Sequence, residues 1–363
     1  MKIVHVVDSM EVGGAETLVS QMCRMQREQG HQVEVYAVAA LGPLGEQLRS
    51  EGFTVLANIG NHLSDSLLNF YRHFKESRPD VVHIHNPTPT IYAAPGARLA
   101  GVPSIVSTRH SLVASPHNRT MEFKYSIAAR FCDWVVGICD ATADNIKSLH
   151  TVSVNKIVRI YNGAKPLAKT AADACPAKSG FTLTFVGRLQ PVKNLSLLLR
   201  GFHVALKSDA SLRLWIVGDG SERARLEGLA SDLGITNEIT FWGQQLYVAP
   251  FFSAADTFVM SSQSEGLPIS LLQAFSMGLP AIVTDVGGMA EVVRFAKAGF
   301  VVALNPDEMA SSMLRMKEDC TARNTFAENG LAAFEEHFSL ETMVAAYHDL
   351  YLRTPRTRRS KSG

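Results

Sequence analysis

The sequence predicts an α/β protein made of two doubly wound, parallel-sheet domains. Three observations carry this. Short apolar runs alternate with segments of helical periodicity along most of the chain, and that β-α-β spacing yields a parallel sheet covered on both faces. A length of 363 residues with 46 % hydrophobic content suits two domains, each with its own core. An Ala-, Lys- and Pro-rich stretch from Pro166 to Gly180, without periodicity, divides the alternation in two.

In the first half, strands are expected at Lys2–Val7, Val33–Val38, Thr54–Ala57, Val81–Ile84, Ser104–Ser107, Trp134–Gly137 and Ile157–Ile160. Helices are expected near Ala15–Glu28, Leu63–Ser77, Ile91–Ala100, Met121–Cys132 and Ala141–Leu149. The second half restarts with a strand at Phe181–Val186, a helix over Leu195–Lys207 and a strand at Leu212–Gly218. Strands at Ile239–Trp242, Phe258–Met260 and Ala281–Val283 follow, with helices over Val248–Ala255, Asp307–Met316, Ala322–His337 and Leu340–Tyr351. The domain reading is therefore 1–163, a linker over 164–180, a second domain over 181–337, a terminal helix over 338–352 and a basic tail over 353–363.

Composition narrows the function classes. A formal net charge of +1 supplies no global field for nucleic acid or for a membrane surface. No charged segment followed by an apolar one opens the chain, and no apolar run approaches the ~20 residues that span a bilayer. The five cysteines, Cys23, Cys132, Cys139, Cys175 and Cys320, show no C-x-x-C pair, which fits reduced thiols and a cytoplasmic setting. The Arg- and Lys-rich tail reads as a solvated segment; contact with anionic lipid at the inner membrane face is the alternative.

Several positions suggest chemistry. Gly13-Gly14 follows the first strand and opens a helix, either as a tight turn or as a place where amides approach a phosphate. His83 and His85 share one strand face, and hydrogen-bonded packing explains them better than metal ligation, which needs a further ligand. His110 follows a strand, with Arg109 beside it as a secondary candidate. Gly187 starts a strand-to-helix turn that carries Arg188 and Lys193, two cations that could meet one diphosphate. In the stretch Ser261–Gly288, Pro268 suits the first turn of a helix that starts just after Glu265-Gly266-Leu267. Free amides at such an end hold an anion, and Glu265 beside them can accept hydroxyls. A nucleotide sugar offers both groups.

These residues resemble the GT4 family of retaining glycosyltransferases. The resemblance rests on Ser264-Glu265-Gly266-Leu267-Pro268 with Leu271-Leu272-Gln273-Ala274, on the run Gly187-Arg188-Leu189 through Lys193-Asn194, and on Glu291. Where the family carries a second glutamate, this chain has Gln273. The resemblance implies the GT-B fold, two Rossmann-like domains facing across a cleft, with the last helix crossing back onto the first domain. It implies hexose transfer from a UDP- or GDP-linked sugar to a glycan, lipid-linked sugar or small-molecule acceptor, with retention at the anomeric carbon. Neither a metal nor a cofactor is expected. His110, Arg188, Lys193 and Glu265 would carry the catalytic work, and Gly13, Gly14, Gly187, Gly266, Leu267 and Gln273 would line the donor nucleotide. Two alternatives stay open: a non-catalytic sugar-nucleotide-binding protein, and a GT-B sugar-nucleotide epimerase.

Overall fold

The computed structural model describes residues 1–57, 63–112 and 119–353. The chain forms two compact units: Met1–Gly163 with Leu340–Gly363, and Ala164–Ser339. The tail over 354–363, expected to be basic and solvated, lies outside the described residues.

In the first unit the strands are β1 Lys2–Val7, β2 Gln32–Ala37, β3 Thr54–Leu56, β4 Val81–His85, β5 Ser104–Arg109, β6 Trp134–Gly137 and β7 Ile157–Arg159. They pair in the order β3-β2-β1-β4-β5-β6-β7, every pairing parallel. Burial on both faces explains their near-continuous apolar runs. Val4, Val6, Val82, Ile84 and Ile105 pack on one face with Phe70, Phe74 and Tyr125. Val7, Val33, Val35 and Ala37 pack on the other with Val19, Cys23 and Leu48. Because successive side chains alternate, His5, His83 and His85 cannot share the face of Val4, Val82 and Ile84. They point to the side covered by the helix Gly14–Glu28 and by the last helix, Leu340–Leu352.

The second unit holds β8 Phe181–Val186, β9 Leu212–Val217, β10 Ile239–Gly243, β11 Thr257–Met260, β12 Ala281–Thr284 and β13 Gly299–Val302. Their order is β10-β9-β8-β11-β12-β13, again parallel throughout. The segment after Gly163 is tied to this unit: Leu167 N–H donates to Ser276 Oγ, Thr170 N–H donates to Ser253 Oγ, and Lys178 pairs with Asp256.

Several elements differ from the sequence expectation. The helix expected from Ile91 begins at Pro87, because a proline in the first turn has no N–H to leave unpaired. Pro268 is not inside its helix but caps it at φ −67°, ψ 131°, and the helix runs Ile269–Ser276. β5 reaches Arg109, so His110 stands at the strand end itself. The helix Gly42–Ser50 and the edge strand β13 are additional, short elements whose Gly and Pro content weakens any periodic signal.

The loop after β8 depends on a close backbone approach. Gly218 has φ +136°, and a Cβ there would stand 1.9 Å from the carbonyl oxygen of Gly187. Gly218→Ala should therefore cost about 2 kcal/mol or more, since backbone must yield. Urea unfolding of the variant checks this, and a midpoint equal to wild type would contradict it.

Candidate active site

In an open parallel sheet, ligands gather beyond the carboxyl ends of the strands, where the strand order reverses. That point lies between β1 and β4 in the first unit and between β8 and β11 in the second. Gly13, Arg188, Lys193 and Glu265 fall on the loops after β1, β8 and β11 at these two places, while His110 follows the neighbouring strand β5 and Gln273 and Glu291 lie on helices.

In the second unit, Gly187 follows β8 directly and its N–H donates to Val217 O at 3.0 Å. Arg188 is exposed, and its guanidinium has no partner among the described residues. Lys193 ends a short 3-10 turn, Pro191–Lys193, and Asn194 follows in the left-handed region at φ 49°. The loop after β11 is stitched to this turn. Ser261 Oγ donates to the carbonyls of Lys193 and Asn194 at 3.1 Å each, and Gln263 N–H donates to Val192 O at 2.9 Å. Thr284 Oγ1 at the end of β12 donates to Ser262 O at 2.6 Å. This frame brings Lys193 and Glu265 into an ion pair, with Ser262 Oγ donating to Glu265 Oε1 at 2.9 Å. The two side chains are only 17 % and 13 % exposed, so each charge depends on the other for its solvation. Gly266 and Leu267 are buried in the turn before Ile269. Gln273 is half-buried on the helix, and its side chain has no partner among the described residues. Glu291 lies within the helix Gly287–Ala296.

In the first unit, Gly13 is the extended residue before the helix Gly14–Glu28, at φ −154°, ψ 167°. A Cβ on Gly14 would meet nothing within 4 Å, whereas one on Gly13 would meet the Glu16 carboxylate at 2.2 Å. The first-turn carboxylate thus folds back over the helix end, where negative charge is favourable. Arg109 turns inward: 3 % exposed, it forms a two-pronged pair with Glu122 and lies 5.0 Å from the centre of the Tyr125 ring. Its role is to hold the helix Arg119–Ala129 on the sheet.

His110 belongs to a larger polar assembly. His110 Nε2 lies 3.0 Å from His85 Nδ1, His85 Nε2 lies 3.0 Å from His5 Nδ1, and His5 Nε2 lies 2.7 Å from Gln26 Oε1. His83 bonds Tyr351 Oη at 2.8 Å and Thr108 Oγ1 at 2.7 Å, and Thr108 Oγ1 bonds Tyr347 Oη at 3.0 Å. His5, His83 and His85 stand close enough together to share a metal ion, yet each of their ring nitrogens already has a hydrogen-bond partner. Asn86 completes the frame. At φ 74° and ψ 167°, a combination that side chains rarely adopt, its Oδ1 accepts from His110 N–H at 3.1 Å. Sequence reasoning found His83, His85 and His110 but missed His5, Gln26, Asn86, Tyr347 and Tyr351. The H-x-H alternation on β4 was the available signal. The others come from distant elements.

The GT-B class follows from two Rossmann-like parallel-sheet units with their loops so arranged. Comparison with known proteins agrees. The description "Glycosyltransferase Family 4" matches residues 12–166, and "Glycosyl transferases group 1" matches residues 174–332. An Escherichia coli protein named UDP-Gal:alpha-D-GlcNAc-diphosphoundecaprenol alpha-1,3-galactosyltransferase is 29 % identical over 308 residues, 79 % of each chain. The lipopolysaccharide core biosynthesis glycosyltransferase LpsE of Rhizobium meliloti (strain 1021) is 34 % identical over 160 residues, 43 % of this chain and 47 % of LpsE. Among solved structures, Anabaena HepE in complex with UDP superposes with a TM-score of 0.84 at 20 % identity, over 96 % of this chain and 99 % of HepE. The chain belongs to the GT4-type glycosyltransferases.

Burial keeps the histidine assembly uncharged. Desolvation lowers His5 and His110 from 6.5 to about 4, and it lowers His83 and His85 well below 6.5 with help from the neighbouring imidazoles. Unfolded, these groups protonate near 6.5; folded, they resist. Below 6.5 the unfolded state therefore binds more protons, and stability falls as pH drops from 6.5 toward 4. Each such histidine contributes up to about 1.4 kcal/mol per pH unit in that window. Thermal melts across it should show a steadily falling Tm; a flat profile would contradict the neutral assembly.

Proposed function

We propose that this protein is a metal-independent, retaining glycosyltransferase. It moves a hexose from a nucleoside-diphosphate sugar to a hydroxyl of a glycan, lipid-linked sugar or small acceptor. The observation that carries the reading is the cation set on the loop after β8: Arg188, with no partner among the described residues, and Lys193, held by Glu265 from the loop after β11. Breaking the glycosidic bond to a diphosphate loads negative charge onto the leaving group. Fixed donors at that charge are the main electrostatic demand of the step. Arg188 meets it with a fork of N–H groups and Lys193 with a point charge. The sequence has no Asp-x-Asp, the acidic motif that would hold a divalent ion in this role. Glu265 and His110 accept hydroxyls of the hexose, and the turn Gly266-Leu267 faces the phosphate. A uridine donor is favoured because the Escherichia coli relative is named for UDP-Gal and HepE binds UDP and UDP-glucose.

Incubation with UDP-glucose, UDP-galactose and GDP-mannose in EDTA should release nucleotide and a sugar of unchanged anomeric configuration, read by NMR. An isomerised nucleotide sugar would indicate an epimerase, and no turnover of any donor would indicate a binding protein. Activity that EDTA abolishes and Mn²⁺ restores would overturn metal independence. Arg188→Ala should lower kcat by about 10²-fold or more without changing Tm.

Gln273 offers a separate test. A carboxylate there can accept from two vicinal ribose hydroxyls, whereas an amide has one acceptor oxygen. Hydrogen bonds to a charged group contribute about 1 kcal/mol more than neutral ones, near fivefold in affinity. Calorimetry should find that Gln273→Glu binds the nucleotide several-fold more tightly with no change in hexose preference. Equal or weaker binding would mean that Gln273 does not face the ribose.

A further inference from the structure

We propose that the chain Gln26–His5–His85–His110 is a directional relay that fixes His110 as the Nε2–H tautomer and presents its Nδ1 lone pair as a hydrogen-bond acceptor. A neutral imidazole donates from one nitrogen and accepts at the other, so one fixed end determines every ring in the row. At the inner end, Gln26 is 1 % exposed and places its carbonyl oxygen 2.7 Å from His5 Nε2. His5 must then donate from Nε2 and accept at Nδ1. His85 Nε2 donates to it across 3.0 Å, which leaves His85 Nδ1 as the acceptor for His110 Nε2–H across a further 3.0 Å. His110 Nδ1 is left without a proton.

A feature at the other end of the row holds the same direction. At the outer end, His110 Nδ1 is buried and has no partner among the described residues. Reversing the row would put a hydrogen on that nitrogen, and a buried N–H without a partner is rarer and costlier than an under-used acceptor. Both ends therefore choose the same tautomer. The low basicity of all the rings keeps the row neutral near physiological pH, so no imidazolium scrambles it. Asn86 Oδ1, bonded to His110 N–H, holds the backbone in register with the relay.

The consequence is chemical selectivity. His110 accepts from a hydroxyl and cannot donate from Nδ1 to a phosphate or carbonyl oxygen. On the proposed function, which this step assumes, that hydroxyl belongs to the donor hexose. Gln26, His5 and His85 touch no ligand and act as positioning residues.

Histidine-selective ¹⁵N labelling with long-range ¹H–¹⁵N correlation reads the tautomers directly, without ligand. The expected wild-type spectrum at pH 7.5 shows His5, His85 and His110 all protonated at Nε2. Gln26→Met keeps the volume and removes the acceptor. It should bring a His110 population protonated at Nδ1 and raise the KM for the nucleotide sugar by about tenfold, the worth of one misdirected hydrogen bond, with less effect on kcat. His110 protonated at Nδ1 in wild type overturns the relay, and so does a Gln26→Met spectrum identical to wild type. If Gln26→Met does not fold, the wild-type spectrum decides alone. The predicted tautomers in a protein that turns over no nucleotide sugar would sink the functional reading and leave the relay standing.

Discussion

Parallel pairing of the strands is the constraint on which the rest depends. It sends the carboxyl ends of each sheet to one edge, and the reversals of strand order at β1/β4 and β8/β11 part the flanking connections there. Backbone amides and short polar loops can then meet a ligand without disturbing the buried ladders. Arg188, Lys193 and Glu265 are carried by the loops that follow β8 and β11. Their place follows from topology before any side-chain contact is considered.

The same constraint creates a cost. A sheet buried on both faces should present apolar side chains to both layers, yet β1 and β4 put three imidazoles into one of them. Burial is tolerated only where every polar atom is paired. The helices Gly14–Glu28 and Leu340–Leu352 supply those partners through Gln26, Tyr347 and Tyr351. The last helix thus does more than cover apolar surface: without the Tyr351 phenol, His83 Nδ1 loses its partner deep in the core.

What the sequence revealed follows range of interaction. The parallel sheets were legible because alternation of short apolar runs with helical segments is a local signal, and the Gly187–Asn194 and Ser264–Ala274 motifs are contiguous in the chain. The helix at Pro87 starts a turn earlier than expected and Pro268 caps its helix rather than sitting just inside it, since a proline serves equally at a cap or in a first turn. The coupling of Lys193 to Glu265 was not legible. It joins two motifs far apart in the chain, and the sequence gives each a separate role. Gln26 and Tyr351 were invisible for the same reason: one lies on the first long helix and the other on the last, and nothing in their local pattern distinguishes them from ordinary helix positions.

The ion pair and the imidazole row solve one problem in two ways. A site for a charged, hydroxyl-rich ligand needs polar groups that are rigid before the ligand arrives, because reorganisation at the moment of reaction is what preorganised donors avoid. In the second unit rigidity comes from charge. Glu265 holds the Lys193 ammonium, Ser262 holds the carboxylate, and the hydroxyls of Ser261 and Thr284 bind the loops together. In the first unit charge is excluded, and rigidity comes from neutral rings locked nitrogen to nitrogen. On the proposed function the difference suits the ligand groups: a diphosphate requires cations, while a hydroxyl requires an acceptor whose lone pair is not taken by a proton. Arg188 stands apart from both arrangements as an exposed cation with no partner among the described residues, so an anion can engage it without first displacing a carboxylate there.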